Sequence, residues 1–165
     1  MGKSACIRSS FRGKKEVEEY FASIGRSDIR IIEFEQSSAT VELAAQAAGV
    51  EPARIAKTLT YDLKDGSHII IVTSGTARVS NRKFKDCFHC KAKMMDHDEA
   101  LTLTGHPIGG VCPFGLRTPI AVYLDESLKK FDEVYPAAGA PNNAVKIKVD
   151  EFATLANAQW VDVCD

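Results

Sequence analysis

Lys57 lies in the run Ile55-Ala56-Lys57-Thr58-Leu59-Thr60-Tyr61-Asp62, and its place there is chemically unusual. Side chains alternate along a β-strand, so Ile55, Lys57, Leu59 and Tyr61 share one face while Ala56, Thr58, Thr60 and Asp62 share the other. An ammonium in an apolar register costs several kcal/mol, roughly, if it is buried without a partner. A carboxylate, a ligand anion or a cleft mouth beside Lys57 would relieve that cost. The structural alternative is a snorkelling lysine whose stem covers apolar surface.

The second chemical feature is Thr104-Gly-His-Pro-Ile-Gly-Gly-Val-Cys-Pro-Phe-Gly115. Gly109 and Gly110 sit between Pro107 and Pro113, which fix φ and restrict the residue before each. Such a loop can present main-chain N–H groups at defined positions, suited to a phosphate or to the oxyanion formed when an acyl group is attacked. A plain surface turn is the competing possibility. His106, by type and location, is a candidate general base or a solvated loop histidine, and Cys112 a candidate nucleophile.

Cys87-Phe88-His89-Cys90 raises zinc binding and redox chemistry. A structural zinc needs four ligands, and His97, His106 and Cys112 supply no second close-spaced pair. The redox version lacks the expected surroundings. No metal and no cofactor are expected, and these cysteines read as buried or incidental.

The elements that must position these groups follow from periodicity. Val17, Tyr20, Phe21 and Ile24 recur at helical spacing from Lys14, and Gly25 supplies a stop. Ile29 to Phe34 reads as a short strand, and Thr40 caps a helix ending at Ala48-Gly49. Ile55 to Leu63 and His68 to Thr73 flank Lys64-Asp65-Gly66-Ser67, a hairpin signal. Ser80 or Asn81 caps a short basic helix, and Asp96 with Glu99 forms a capping box before a helix to Thr104. Ile120 to Leu124 is a strand and Asp125 caps a turn of helix. Glu133 to Tyr135 pairs with Ala144 to Val149, Asp150 caps a last helix, and Trp160 to Val163 is a closing strand. This order predicts an α/β chain of the α+β type, with a mixed, largely antiparallel β-sheet flanked by helices. Residues 1–13 read as a flexible N-terminus and 14–165 as a single domain.

A chain of 165 residues with 45% hydrophobic content suits one core. Its net charge of −1 excludes a global basic field. The charge is nevertheless uneven: Arg78, Arg82, Lys83, Lys85, Lys91 and Lys93 against Asp86 give +5 over residues 78–93, leaving −6 elsewhere. Such a stripe can meet a few phosphates or simply be a solvated helix face. Five cysteines and no apolar leader at the N-terminus fit a reducing, cytoplasmic setting. No apolar stretch approaches the ~20 residues needed to span a bilayer, so no membrane partner is expected.

Ile55-Ala56-Lys57-Thr58-Leu59, the strand Ile69 to Thr73, Arg82-Lys83-Phe84, the loop to Gly115, and Leu124-Asp125-Glu126-Ser127 together resemble a known family. It is the YbaK/EbsC-type family of aminoacyl-tRNA deacylases, related to the editing domain inserted in bacterial prolyl-tRNA synthetases. The resemblance runs from about Ile29 to Asp162 and joins Ala-Lys-Thr-Leu to Gly-Gly-Val-x-Pro-Phe-Gly. It implies the YbaK/prolyl-tRNA-synthetase-associated domain fold and a free-standing, metal-independent hydrolase. Its substrate would be a mischarged tRNA, chiefly tRNA for proline carrying a small wrong amino acid, with prolyl-tRNA synthetase as a further partner. By position, Lys57 matches the essential lysine that anchors substrate, and Gly109 and Gly110 match the glycines that face the carbonyl. Phe34, Thr40, Thr58, Pro113 and Asp125 fall at or near substrate-binding positions, Asp125 as partner of the lysine or of a substrate hydroxyl. Arg82, Lys83 and Lys85 are the expected contacts to the acceptor stem. A non-catalytic relative that binds aminoacyl-tRNA or a small ligand is the other class of function.

Overall fold

The computed structural model of the chain describes residues 13–165. The expected flexible N-terminus therefore lies outside the described residues, except that Gly13 already opens helix α1 (Gly13–Ser23). Val17 and Phe21 bury the inner face of α1, as the helical spacing requires, and Gly25 follows with φ +75°.

The next elements are β1 (Ile32–Glu33), α2 (Val41–Ala48), β2 (Ile55–Asp62) and β3 (His68–Ser74). Then come α3 (Asn81–Phe88), α4 (His97–Thr104), β4 (Ala121–Asp125), β5 (Glu133–Pro136), β6 (Asn143–Ala144) and β7 (Ile147–Lys148). The chain finishes with α5 (Val149–Ala156) and β8 (Ala158–Val161). Four predicted caps are present. The Thr40 hydroxyl accepts from Leu43 N–H, Ser80 from Lys83 N–H, Asp96 from Glu99 N–H and Asp125 from Ser127 N–H. Asp150 is not a cap. Lys148 holds the N-cap position of α5 without a side-chain bond, and Asp150 sits in the first turn, where a carboxylate still favours the helix dipole.

Six strands form one sheet in the order β7-β5-β2-β3-β4-β8. The β2–β3 hairpin is its longest ladder, antiparallel from Ala56 opposite Ser74 to Asp62 opposite His68. The turn between them closes as predicted, with Gly66 at φ +87°. The sheet is mixed, yet parallel pairing is more prominent than expected, because β2–β5, β3–β4 and β4–β8 all run parallel. Hairpin chemistry is visible locally, whereas these distant partners leave no local signal. The strand expected over Ile29 to Phe34 shrinks to Ile32–Glu33, which pairs with β6 in a separate ribbon. Glu133 and Val134 pair with Lys148 and Ile147, while Ala144 goes to that ribbon.

β3 is covered on both faces, which explains its unbroken apolar run. Ile70 and Val72 join Val17, Phe21, Phe114, Leu124 and Phe152 in the main core, and Ile69 and Ile71 join Tyr61, Phe84 and Val163 on the other side. The residues after β8 return along residues 78–80: Ser80 N–H donates to Val163 O, and Asp165 N–H to Arg78 O.

Candidate functional site

A cavity of about 260 Å³ opens where β2, the start of α2, the start of α4 and the 106–111 loop converge. Its wall includes Lys57, Thr58 and Thr60 from β2, Thr40 from the α2 cap, and Gly109 from the loop. Sequence-predicted residues thus meet at one place, but not all of them. Phe34, Pro113, Asp125 and Gly110 are not part of this wall.

The loop is held by its ends. Phe114 is fully buried, with its ring 4.8 Å from that of Phe21 and stacked 5.7 Å from Phe152. Between them, Gly110 N–H donates to Pro107 O at 2.9 Å, closing a turn with Gly109 at φ +83°. The Gly110 amide is therefore engaged within the turn. A Cβ at Gly110 would lie 2.4 Å from Ala140 N, so this glycine serves backbone-to-backbone packing. Gly109 faces the cavity instead, and its amide has no partner among the described residues.

Other loop glycines serve α1. A Cβ at Gly115 would lie 2.6 Å from Glu16 O, and one at Gly105 2.8 Å from a Glu16 carboxylate oxygen. Gly139 meets Gly13 in the same way. The dense glycine content thus has two uses: one residue turned to the cavity, several seating a helix.

Lys57 is half-buried, and its Nζ donates to Ala77 O at 2.6 Å. Burial holds its pKa below the ordinary lysine value. Among the described residues no carboxylate bonds it. Asp125 instead accepts from Val163 N–H and Ser127 N–H, each at 2.8 Å, and so ties the end of β4 to the C-terminal segment. Burial pushes its carboxyl up, but those hydrogen bonds outweigh burial and hold it below the usual carboxylate range. The role expected for Asp125 as partner of Lys57 is therefore replaced by a clamp.

His106 is fully buried and lines the cavity. Its Nε2 lies 2.7 Å from Phe114 O, so Nε2 carries the proton and donates. Nδ1 is left as a bare acceptor without a partner among the described residues, against Gly13, whose Cβ in any other residue would come within 2.8 Å. Burial drives its pKa down to about 4, which keeps the ring neutral. Cys112 is wholly buried, outside the cavity wall, and burial pushes its thiol up to about 12, a poor setting for a nucleophile. Cys87 and Cys90 are free thiols. Among the described residues the one grouping of three side chains able to ligate a metal is Asp62, His68 and Glu99, which includes neither cysteine.

Arg82 and Lys85 point from α3 into solvent. Lys83 does not share that freedom: its Nζ donates to Cys164 O at 2.7 Å and to Asp162 at 3.2 Å, locking α3 to the C-terminal segment. Thr58, on the opposite strand face from Lys57, is also part of the cavity wall. Its Oγ1 is shut off from solvent and has no hydrogen-bond partner among the described residues, which only the packed structure shows. No helix among the described residues is long and apolar enough to cross a membrane.

A mixed sheet flanked by helices, with a small cavity walled by a β-strand lysine and a glycine turn, defines an editing-type α/β domain. The chain belongs to the aminoacyl-tRNA editing domain family, whose profile matches residues 35–155. It is 44% identical over 151 residues to the uncharacterized protein YwhH of Bacillus subtilis (strain 168), covering 91% of this chain and 96% of that one. It is 23% identical over 125 residues to EbsC of Enterococcus faecalis, a candidate Cys-tRNA(Pro)/Cys-tRNA(Cys) deacylase, covering 75% and 76%. A solved structure of a candidate trans-editing enzyme for prolyl tRNA synthetase superposes with a TM-score of 0.85 at 30% identity, covering 93% of this chain and 97% of that one.

Proposed function

We propose that this chain is a free-standing trans-editing deacylase that hydrolyses the ester of a mischarged tRNA, with tRNA for proline carrying a small wrong amino acid as first candidate. The observation that carries the reading is the meeting of Lys57 and Gly109 in one small cavity of an editing-domain chain. An aminoacyl ester is already activated, so positioning, a water and charge stabilisation suffice. Water adds to the carbonyl carbon, the bond to the ribose oxygen breaks, and free amino acid and tRNA leave.

Gly109 N–H is the donor assigned to the oxyanion, a role worth about 3 kcal/mol per donor in preorganised sites. Lys57 keeps two further N–H donors beyond its bond to Ala77 O and anchors an anionic part of the substrate. Arg82 and Lys85 are the assigned contacts to the acceptor stem. The test is a panel of mischarged tRNAs incubated with the pure protein. Ester loss above the spontaneous rate supports hydrolysis; tight binding without loss would make the chain a binding protein, with prolyl-tRNA synthetase or another partner completing the chemistry.

A further inference from the structure

Asp62 and His68 are the last partners of the β2–β3 ladder before its turn, and neither lines the cavity. Asp62 N–H donates to Lys93 O at 2.8 Å and Met95 N–H to Thr60 O at 3.0 Å, so residues 93–95 run beside β2 and lead directly into α4. Asp96 caps that helix, and Glu99 stands in its first turn. Three separate segments thus bring an imidazole and two carboxylates together, partly buried, with one ligand atom of each within 4.8 Å of the others. His68 Nδ1 lies 2.6 Å from Asp62 Oδ1 and 3.9 Å from Glu99 Oε2, and the Glu99 and Asp62 carboxyls are in hydrogen-bond contact.

Two carboxylates held in contact repel each other. Among the described residues their ion pairs go to His68 alone, which is less positive charge than the pair can use. In a tetrahedral zinc site, bonds of ~2.0–2.2 Å put neighbouring ligand atoms roughly 3.3–3.5 Å apart. The separations of 2.6 and 3.9 Å lie on either side of that spacing, so small shifts of the side-chain ends meet it.

We propose that Asp62, His68 and Glu99 form a binding site for a divalent transition-metal ion, zinc first, with water completing the coordination. An imidazole nitrogen suits such an ion better than calcium or magnesium, which take oxygen ligands. On binding, the imidazole gives up its Nδ1 proton to solvent and bonds the ion through that nitrogen, while both carboxylates bind as anions. The ion staples the hairpin tip to the first turn of α4, the helix whose His97 and Ala100 line the cavity. The site shares no residue with the deacylase machinery and stands or falls separately from it.

The test is calorimetric zinc titration of the untagged, chelator-treated protein, with cobalt(II) as a spectroscopic probe. One equivalent of zinc is expected to bind, to raise the melting temperature and to shift the His68 ring resonances. His68→Gln and Glu99→Gln should each weaken binding at least about tenfold, the least that loss of an outer-shell partner costs. Cys87→Ser/Cys90→Ser should leave it unchanged. No saturable binding by the wild type overturns the proposal, as does unaltered affinity in both ligand variants. So do unmoved His68 resonances, or a thiolate charge-transfer band with cobalt that places the ion on cysteine. These last two are read in the wild type, whether or not the variants fold.

Discussion

Lys57 Nζ donates to the carbonyl oxygen of Ala77 at 2.6 Å, so the ammonium of this cavity-lining residue is aimed by the chain twenty residues further on. The bond fixes the lysine's direction without neutralising its charge. Lys57→Ala is expected to lower deacylation about 100-fold, comparable to removing one preorganised electrostatic donor. Unchanged kcat/KM on every ester the wild type cleaves would remove Lys57 from the reaction. Because burial places its pKa below 10.5, the charge is lost earlier on the alkaline side than for an exposed lysine. Enzymatic rate, corrected for spontaneous hydrolysis, should therefore decline as pH rises, before the ordinary lysine value is reached.

Gly109 and Gly110 should respond differently to the same substitution. Gly110→Ala puts a Cβ 2.4 Å from backbone and should destabilise the fold measurably in urea. Gly109→Ala meets the Cβ of Ala39 at 2.8 Å and must hold φ near +83°, at a cost of about 1–2 kcal/mol. Its larger effect should be on kcat, read in folded protein. Equal activity losses for equally folded variants would contradict the division of roles.

Charge reversal on α3 separates surface from clamp. Arg82→Glu and Lys85→Glu should weaken tRNA binding and reduce the slope of log K against log salt by about 1 per lost phosphate contact. Lys83→Glu should instead lower the melting temperature, since it breaks the bonds to Cys164 O and Asp162. Salt titration of binding and thermal melts check both.

His106 makes stability depend on pH above the carboxylate range. Its folded pKa, about 4, is below its unfolded value near 6.5, so between them the unfolded chain binds more protons. Stability is thus full above the unfolded value and falls as pH drops from about 6.5 to 4, by up to about 3 kcal/mol. His106→Gln can still donate to Phe114 O but does not titrate. Its urea-unfolding free energy should lose less over that range than the wild type's; parallel curves would place the titration elsewhere.

Asp125 acts at lower pH. Its carboxyl is held below the ordinary value, so its contribution is present above about 3.9 and disappears as pH falls through the depressed value. Asp125→Asn should destabilise the protein at pH 7 and increase amide exchange at Val163, whose N–H it anchors.

Local chemistry was legible in the sequence, and its long-range use was not. Alternation placed Lys57 in the apolar register, but nothing near it named Ala77 O as its acceptor. Asp125 read correctly as a cap, and its Ser127 bond is local; Val163 lies 38 residues away and is brought in only when β8 pairs with β4. The glycines of the loop were visible as a group, yet their division between cavity and α1 depends on which backbone comes close in three dimensions. Thr58 shows the limit most plainly. Whether a hydroxyl finds a partner is decided by packing on every side of it, which no spacing rule encodes.

The order of strands also bears on how the protein avoids self-association. Ile69 to Val72 is the segment best suited to seed cross-β stacking, being apolar, uncharged and free of proline. Among the described residues it occupies an interior strand, hydrogen-bonded on both sides by β2 and β4. The sheet's margins fall to β7, two residues long, and β8, four residues long, too short to template a foreign strand. Loss of β4 and β8 together would uncover β3, so local unfolding at that margin is where aggregation of this chain should begin.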